Sequence, residues 1–425
     1  MNFKKEQRVK NIAIIGIGYI GLPLAIEFHK HYKVTCYDFS TKRINELNKN
    51  IDSNNESNLT KLNPKNINFT NNKTDLKNND VYILCVPTPV LINKKPDLGL
   101  IVNATKLVAK SISKNSIIVY ESTVYPGVTE DVCLPIIKQI SKLKYNKDFS
   151  IAYSPERINP GDRIHNLKNI IKVVSASNKN ALRIIDTMYK KICLAGTFKA
   201  ESIKVAEGSK VIENIQRDLN IALMNELSII FDKMNVNFQQ VLEAANTKWN
   251  FLDFKPGLVG GHCIGIDPYY LTYKAKTLNY SPKIILSGRK INDNMHKEVL
   301  SRILKKCKKL NIKVPNSNVL LLGAAFKENC SDFRNSKSVE LYNLLKNKFN
   351  DVDFYDPLVD YNDFMKKNNI KLKKKIGKKK YNLILIAVSH NFFSDMNFYN
   401  NNLKKNSFIF SIKKNKVNSL NEMNL

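Results

Sequence analysis

Lys10-Asn11-Ile12-Ala13-Ile14-Ile15-Gly16-Ile17-Gly18-Tyr19-Ile20-Gly21 is the stretch on which the fold turns. Residues 10–16 read as a buried strand, 20–31 as a helix, and 33–38 as a second strand ending at Asp38. The Gly16-x-Gly18-x-x-Gly21 spacing is weak evidence alone. Here it follows an apolar strand and opens a helix, and Asp38 lies 20 residues beyond Gly18. Each glycine has a separate reason. Gly16 permits the tight turn, Gly18 lets a pyrophosphate approach the backbone, and Gly21 lets helix and strand pack closely. The helix N-terminus would then face the phosphates. An acidic Asp38 suits a free ribose diol and repels a 2′-phosphate, which favours NAD over NADP. Arg43, five residues later, is the counter-signal.

Outward from this unit, short apolar runs alternate with helical patterns: Val81 to Val86, Ser116 to Tyr120, Ile151 to Tyr153 and Ile170 to Val174. That alternation predicts a parallel sheet with crossover helices. From Lys204 to Met234 the pattern becomes one long helix without proline, and a second helix follows Pro282 to about Leu310. A new α/β unit begins at Asn318-Val-Leu-Leu-Leu-Gly323. It continues through a helix near 336–348, a strand ending at Tyr355-Asp356-Pro357 and a strand from Leu383 to Val388. The expected division is 1–203, 204–310 and 311–425. No repeat of 20–50 residues is visible.

The 425 residues are 43% hydrophobic, enough for several cores. No apolar run reaches the roughly 18 to 20 residues of a membrane span. Basic residues before the first apolar run imitate an export signal, but Gly16, Gly18 and Gly21 interrupt that run and no cleavage site follows. Seven scattered cysteines form no C-x-x-C pair, so neither a disulfide framework nor a zinc site is expected, and a reducing cytoplasmic setting is. The net charge of +31 raises the possibility of a nucleic-acid partner. Its lysines are dispersed among asparagine-rich loops without aromatic interleaving, which reads as compositional bias. No nucleic-acid or membrane partner is therefore expected.

The chemically unusual stretch is Gly257-Leu-Val-Gly260-Gly261-His262-Cys263-Ile-Gly265-Ile-Asp267-Pro268. A glycine-rich loop lets a thiol and backbone N–H groups reach a substrate, and His262 and Asp267 are titratable neighbours. On residue type alone, a nucleophile site and a tight structural loop stand level. His262 lacks partners at metal-ligand spacing. On the long helix, Lys210 and Asn214 are four residues apart and share a face with Arg217 nearby.

Taken together, the motifs resemble the UDP-glucose/GDP-mannose dehydrogenase family over essentially the whole chain, and within it the UDP-N-acetylhexosamine 6-dehydrogenases of surface-polysaccharide synthesis. The matching blocks are Gly16-x-Gly18-x-x-Gly21, Val86-Pro-Thr88-Pro89, Glu121-Ser-Thr123-Val-Tyr-Pro-Gly127, Ser154-Pro-Glu156-Arg157-Ile-Asn159-Pro-Gly-Asp162, Lys210-x-x-x-Asn214, Pro256 to Tyr270, and Phe326-Lys327-x-x-x-x-Asp332-x-Arg334. The resemblance implies an α/β protein with an N-terminal Rossmann domain, a long central dimerisation helix and a C-terminal UDP-binding domain, working as a homodimer. It implies oxidation of a sugar C6 hydroxymethyl to a carboxylate with two NAD per sugar. Cys263 would form a thiohemiacetal and then a thioester. Lys210 and Asn214 would stabilise the oxyanions. Asp267 would activate water or polarise Lys210, and Glu156 and Thr123 would assist proton transfer. Cofactor contacts would come from Gly16, Gly18, Tyr19, Ile20, Gly21, Asp38, Arg43, Thr88, Thr123 and Arg334. Substrate contacts would come from Glu156, Arg157, Asn159, Lys210, Asn214, Arg217, Gly257, Gly260 and Lys327.

Several positions depart from the UDP-glucose enzymes. His262-Cys263-Ile264 replaces Ser-Cys-Phe, Ile266 replaces a lysine, and Pro160 stands where a second glutamate belongs. These changes point to N-acetylated sugars. An arginine donated by the neighbouring subunit has no match near Thr247-Lys248. Gly208 weakens the long helix by about 1 kcal/mol against alanine. An Asp-x-Lys-Gly pattern is reduced to Ser411-Ile-Lys413-Lys414. UDP-glucose and UDP-N-acetylmannosamine are alternative substrates. A one-step β-hydroxyacid dehydrogenase would share the first unit but need no cysteine. A basic nucleic-acid-binding protein would need clustered charge and no redox constellation.

Overall fold

A computed structural model of the protein describes residues 9–53, 59, 62–157, 166–413 and 422–425. The fold grows from the strand quoted above. β1 (Asn11–Ile15) is almost wholly buried and pairs in parallel with β2 (Lys33–Tyr37) on one side. β3 (Ile67–Thr70) extends that side. On the other lie β4 (Val81–Leu84), β5 (Ser116–Tyr120), β6 (Phe149–Tyr153), β7 (Lys172–Ala176) and β8 (Thr197–Lys199), giving the order β3-β2-β1-β4-β5-β6-β7-β8. This is the doubly wound order whose switch point, between β1 and β4, is where such sheets bind ligands. One expectation fails: β6 and β7 pair antiparallel, Ala152 opposite Ala176. The chain turns back at that edge instead of crossing over, and β8 resumes parallel pairing with β7.

The second sheet comprises β9 (Asn318–Leu322), β10 (Asp351–Tyr355), β11 (Tyr381–Ile386), β12 (Leu403–Ser411) and β13 (Glu422–Asn424), ordered β10-β9-β11-β12-β13 and parallel throughout. Contacts divide the chain into two compact units, Met1–Glu213 with Tyr269–Tyr280, and Asn214–Pro268 with Ser281–Leu425. The division falls inside the long helix, which runs from Ile203 to Lys233.

That helix has an inverted polarity. Glu207, Asp218, Asn225 and Ser228 are fully buried along one face. Val205, Ile212, Leu223 and Ile230 are each about half exposed along the opposite face, at the spacing 7, 11 and 7. Leu219, Leu223 and Leu227, the apolar positions that the sequence pattern would turn toward a second copy of this helix, fall by helical spacing on this same side. Leu219 lies over Gly288, where an added Cβ would come within 2.5 Å of its Cδ2, and Leu227 packs with Met224, Phe238 and Leu242. Of the three, Leu223 is the exposed one.

A buried polar face survives only if it is paired. The helix Lys283–Lys309 supplies the partners. Arg289 donates through Nη1 to Asp218 Oδ1 at 2.6 Å, and Asn292 Nδ2 donates to the same carboxylate at 2.7 Å. Asn292 Oδ1 accepts from Asn225 at 2.8 Å, and Arg302 Nη2 donates to Ser228 at 3.2 Å.

Left-handed backbone in this glycine-poor chain is mostly taken by asparagine. Asn50, Asn78, Asn115, Asn146, Asn235, Asn279, Asn311, Asn329, Asn335 and Asn369 all have φ between 52° and 71°. Asparagine tolerates that region better than other side chains that carry a Cβ.

Arg289→Ala is expected to lower the unfolding free energy by about 3–5 kcal/mol, because it leaves the Asp218 carboxylate buried without its cation. Urea melts with an unchanged slope would read this directly. A loss below about 1 kcal/mol would show that the pair is not what holds the two helices.

Candidate active site

Two links tie the turn after β1 to the end of β2, and a third steadies the carboxylate that makes one of them. Gly16, with φ +92°, donates its N–H to Tyr37 O at 2.9 Å. Asp38 Oδ2 accepts the Ile17 N–H at 2.9 Å, and its Oδ1 accepts the Ser40 N–H at 2.9 Å. A Cβ on Gly21 would sit 2.0 Å from Gly16 O, so that glycine is required by packing. A Cβ on Gly18 would meet nothing within 4 Å. Gly18 thus leaves its backbone open at the mouth of the helix Gly21–Phe28, whose N-terminus has no side-chain cap. Tyr19 and Ile20 flank it, half-buried. These residues form a cradle that fits a dinucleotide pyrophosphate.

Arg43 is committed elsewhere. Its Nε donates to Ile17 O at 3.0 Å, and its Nη2 forms an ion pair with Asp52 at 2.8 Å. With 11% of its side chain exposed, it braces the turn from behind.

At the ends of β4 and β5, Thr88 Oγ1 donates to Thr123 O at 2.6 Å. The two sequence-predicted threonines therefore meet. The turn after β5 is anchored by Glu207 of the long helix, whose carboxylate accepts N–H groups from Gly127 at 2.6 Å and Thr129 at 3.0 Å. Burial pushes Glu207 up to about 7, against the pull of those bonds.

Glu156, just past β6, belongs to a buried charge cluster. Lys172 Nζ, fully buried on β7, lies 2.5 Å from Glu121 and 3.1 Å from Glu156. Tyr189 donates its hydroxyl to Glu121. Burial raises Glu121 to about 7, although Lys172 pulls the other way. Arg157 pairs with Glu213 at 2.8 Å. Asn159 lies outside the described residues.

In the second unit, polar contacts shape the cysteine loop. Asn225 Oδ1 accepts the Gly257 N–H at 2.8 Å, and its Nδ2 donates to Gly257 O at 3.0 Å. A Cβ on Gly260 would come within 2.7 Å of Asn335 O, and one on Gly261, with φ +82°, within 2.6 Å of the Phe326 ring. The loop can approach its neighbours this closely only with glycine there. Cys263, half-buried, has its sulfur 3.0 Å from His262 Nδ1. Its carbonyl accepts N–H groups from Ile266 and Asp267. Asp267, 2% exposed, accepts from Asn214 Nδ2 at 2.5 Å.

Arg334 is held by Asp332, with Nε at 3.0 Å from both carboxylate oxygens. Lys327 Nζ stands 5.6 Å from the centre of the Phe326 ring. Lys210 is half-buried and Arg217 exposed on the long helix. Lys413 pairs with Glu328 at 3.0 Å, while Lys414 lies outside the described residues. Among the described residues no cluster of three metal-ligating side chains occurs.

Sequence reasoning missed Lys172 beside Glu156, Asn225 beside Gly257 and Asp332 beside His262. Lys172 carried a signal, a charge inside the apolar run Ile170-Ile-Lys172-Val-Val174. Asn225 stands 11 residues after Asn214, on the same helix face. Asp332 stood inside a quoted motif with no role assigned.

Comparison with known proteins sets this geometry in context. Residues 10–193, 204–294 and 320–416 match, in turn, the NAD binding, central and UDP binding domains of the UDP-glucose/GDP-mannose dehydrogenase family. The chain is 48% identical over 386 residues to the UDP-N-acetyl-D-glucosamine 6-dehydrogenase of Salmonella typhi, covering 91% of each protein. Its likeness to the enzyme of that name from Pseudomonas aeruginosa is also 48%, over 91% of this chain and 92% of the other. The solved UDP-D-ManNAc dehydrogenase of Pyrococcus horikoshii superposes with a TM-score of 0.84 at 27% identity, over 97% of this chain and 98% of that one.

The two loop glycines are expected to separate binding from folding. Gly18→Ala should leave the melting temperature within about a degree or two and weaken NAD binding tenfold or more. Gly21→Ala should lower both, because its Cβ collides with backbone. Calorimetric titration and thermal melts of the two variants test this, and undiminished NAD affinity in Gly18→Ala would contradict the cradle.

Proposed function

Because the chain belongs to the UDP-glucose/GDP-mannose dehydrogenase family, we propose that it is an NAD-dependent 6-dehydrogenase of a UDP-N-acetylhexosamine, with UDP-N-acetylglucosamine as the first substrate to test. The observation that carries this reading is Cys263. It is the one half-exposed thiol among seven, at the head of a glycine loop, in a chain that also holds an intact dinucleotide turn. The more similar of the compared proteins favour the N-acetylglucosamine sugar over N-acetylmannosamine. His262 and Ile266, in place of the serine and lysine of the UDP-glucose enzymes, agree with an N-acetylated substrate.

NAD, when bound, supplies the hydride acceptor for each of two oxidations at C6; Gly16, Gly18, Gly21 and Asp38 would hold it, with Tyr19, Ile20, Thr88 and Thr123 alongside. Cys263 adds its sulfur to the C6 aldehyde, and the carbonyl electron pair passes to oxygen, which takes a proton. The tetrahedral adduct keeps C6 on sulfur, and the thioester that succeeds it is cut by water, sulfur leaving with the C–S electron pair. Lys210 and Asn214 offer donors to the developing oxyanion. Asp267, which orients the Asn214 amide, is the group that takes the proton of the attacking water. Glu156 is tied down by Lys172, which suits a carboxylate that orders water rather than one that moves. Arg157, Asn159, Arg217, Gly257, Gly260 and Lys327 are assigned to the substrate. Arg334 keeps its assignment to the cofactor, with Asp332 as its anchor.

The exposed apolar face of the long helix supports a reading of the assembly. A second copy of the chain is the occupant we assign to the Val205, Ile212, Leu223 and Ile230 stripe, giving a homodimer. No described helix is long and apolar enough to cross a membrane. A reducing cytoplasmic setting would keep the Cys263 sulfur available.

With UDP-N-acetylglucosamine, two NADH should form per uronic acid, and Cys263→Ser should abolish the acid. One NADH per substrate would indicate a one-step alcohol dehydrogenase instead. Across a panel of UDP-sugars, UDP-glucose should be turned over at least tenfold less efficiently. NADP should be a poor cofactor, since Asp38 opposes the 2′-phosphate and Asp52 occupies Arg43. Leu223→Glu should lower activity and dimer content together by light scattering; a fully active monomer would remove the dimer from this reading.

A further inference from the structure

The residue beside the nucleophile has surroundings of its own. His262 Nδ1 lies 3.0 Å from Cys263 Sγ, and Nε2 lies 3.5 Å from Asp332 Oδ2. The Phe326 ring packs against the imidazole at 5.5 Å between centres. Asp332 is 7% exposed and cannot swing away. Its Oδ1 takes the Arg334 N–H at 3.0 Å, and the Phe326 N–H binds its carbonyl at 3.0 Å.

We propose that His262 is a catalytic base for Cys263, held in position by Asp332, so that the resting enzyme presents a thiolate beside an imidazolium. This deepens the dehydrogenase reading and rests on it. The proton moves from Sγ to Nδ1: the S–H bond breaks, its electron pair stays on sulfur, and an N–H bond forms. Asp332 fixes the tautomer that makes this possible, since Nε2–H facing its carboxylate leaves Nδ1 as the acceptor. After the transfer both ring nitrogens carry protons, one facing carboxylate and one facing sulfur.

The charges around the ring agree. Burial opposes a charged imidazole, and Arg334 opposes it too. The bonds to Asp332 and to the Cys263 sulfur outweigh both and raise His262 to about 9. Asp332 itself is held far below the usual carboxylate range, against its burial, by His262 and Arg334. A serine in place of His262, as in the UDP-glucose enzymes, has no group that would be charged at neutral pH. Here the proton acceptor is part of the loop.

Alkylation of the thiol by iodoacetamide tests this without turnover, so it stands apart from the identity of the sugar. Cys263 is the half-exposed thiol and the other six are buried, so mass spectrometry of the labelled peptide reports one site. In the unaltered protein alkylation should remain fast down to pH 6.5. In His262→Asn it should fall by roughly ten- to a hundredfold at that pH, because a free thiol with a pKa near 8.5 is only about one per cent ionised there. Asp332→Asn should move the inflection in the same direction by less. An unchanged pH profile in His262→Asn overturns the proposal. Should that variant not fold, the ultraviolet thiolate absorbance of the unaltered protein, read against Cys263→Ser, decides the matter. An absorbance step centred near pH 8.5 refutes the pair, and one already complete by pH 7 supports it.

Discussion

A carboxylate at the end of a second strand, accepting the N–H just past the glycine that ends the first, is the contact from which each α/β unit is built. In the first unit Asp38 receives Ile17, while Gly16 donates to Tyr37 O at 2.9 Å. In the second, Asp356 receives Ala324 at 2.7 Å, and Gly323, with φ +90°, donates to Tyr355 O at 2.9 Å. Tyr-Asp closes the second strand in both. The bond fixes how the chain leaves the sheet, and hence what the end of the sheet presents. The two carboxylates differ in what else they face. Asp38 is half-buried beside an open glycine, whereas Asp356 is buried and also binds His390 Nε2 at 3.0 Å. One turn leaves its glycine backbone open; the other is sealed.

The first unit was legible because its signals are local. Glycine spacing, the strand before it and the acid after it all lie within 28 residues, from Asn11 to Asp38. The edge was not legible: nothing in Ile170 to Val174 announces that its strand runs antiparallel, since periodicity carries no direction. The cysteine loop could be recognised by composition, yet its fastening to Asn225 and Asn335 could not, because these partners stand 32 and 74 residues from Gly257 and Gly261.

On the long helix the buried side is the polar one. An apolar stripe ordinarily marks the buried side. Here Asp218, Asn225 and Ser228 go inward because Arg289, Asn292 and Arg302 await them. The polar interior gives the helix a fixed register, which hydrophobic contacts alone would define less sharply. The same register sets Asn214 against Asp267 and Asn225 against Gly257. The price of this specificity is that any one of these partners, if lost, leaves a buried group unsatisfied.

The ten asparagines in left-handed turns have a bearing on the protein over time. Asparagine is among the side chains that heat degrades fastest, by loss of its amide. Each such event at a turn replaces a neutral residue with a carboxylate. In a chain of net charge +31, the molecule would drift slowly toward neutrality as it ages, and its turns would be altered before its strands. Asn335, whose side chain and carbonyl both bind Gly261, stands among them, so chemical ageing at that turn would reach the cysteine loop directly.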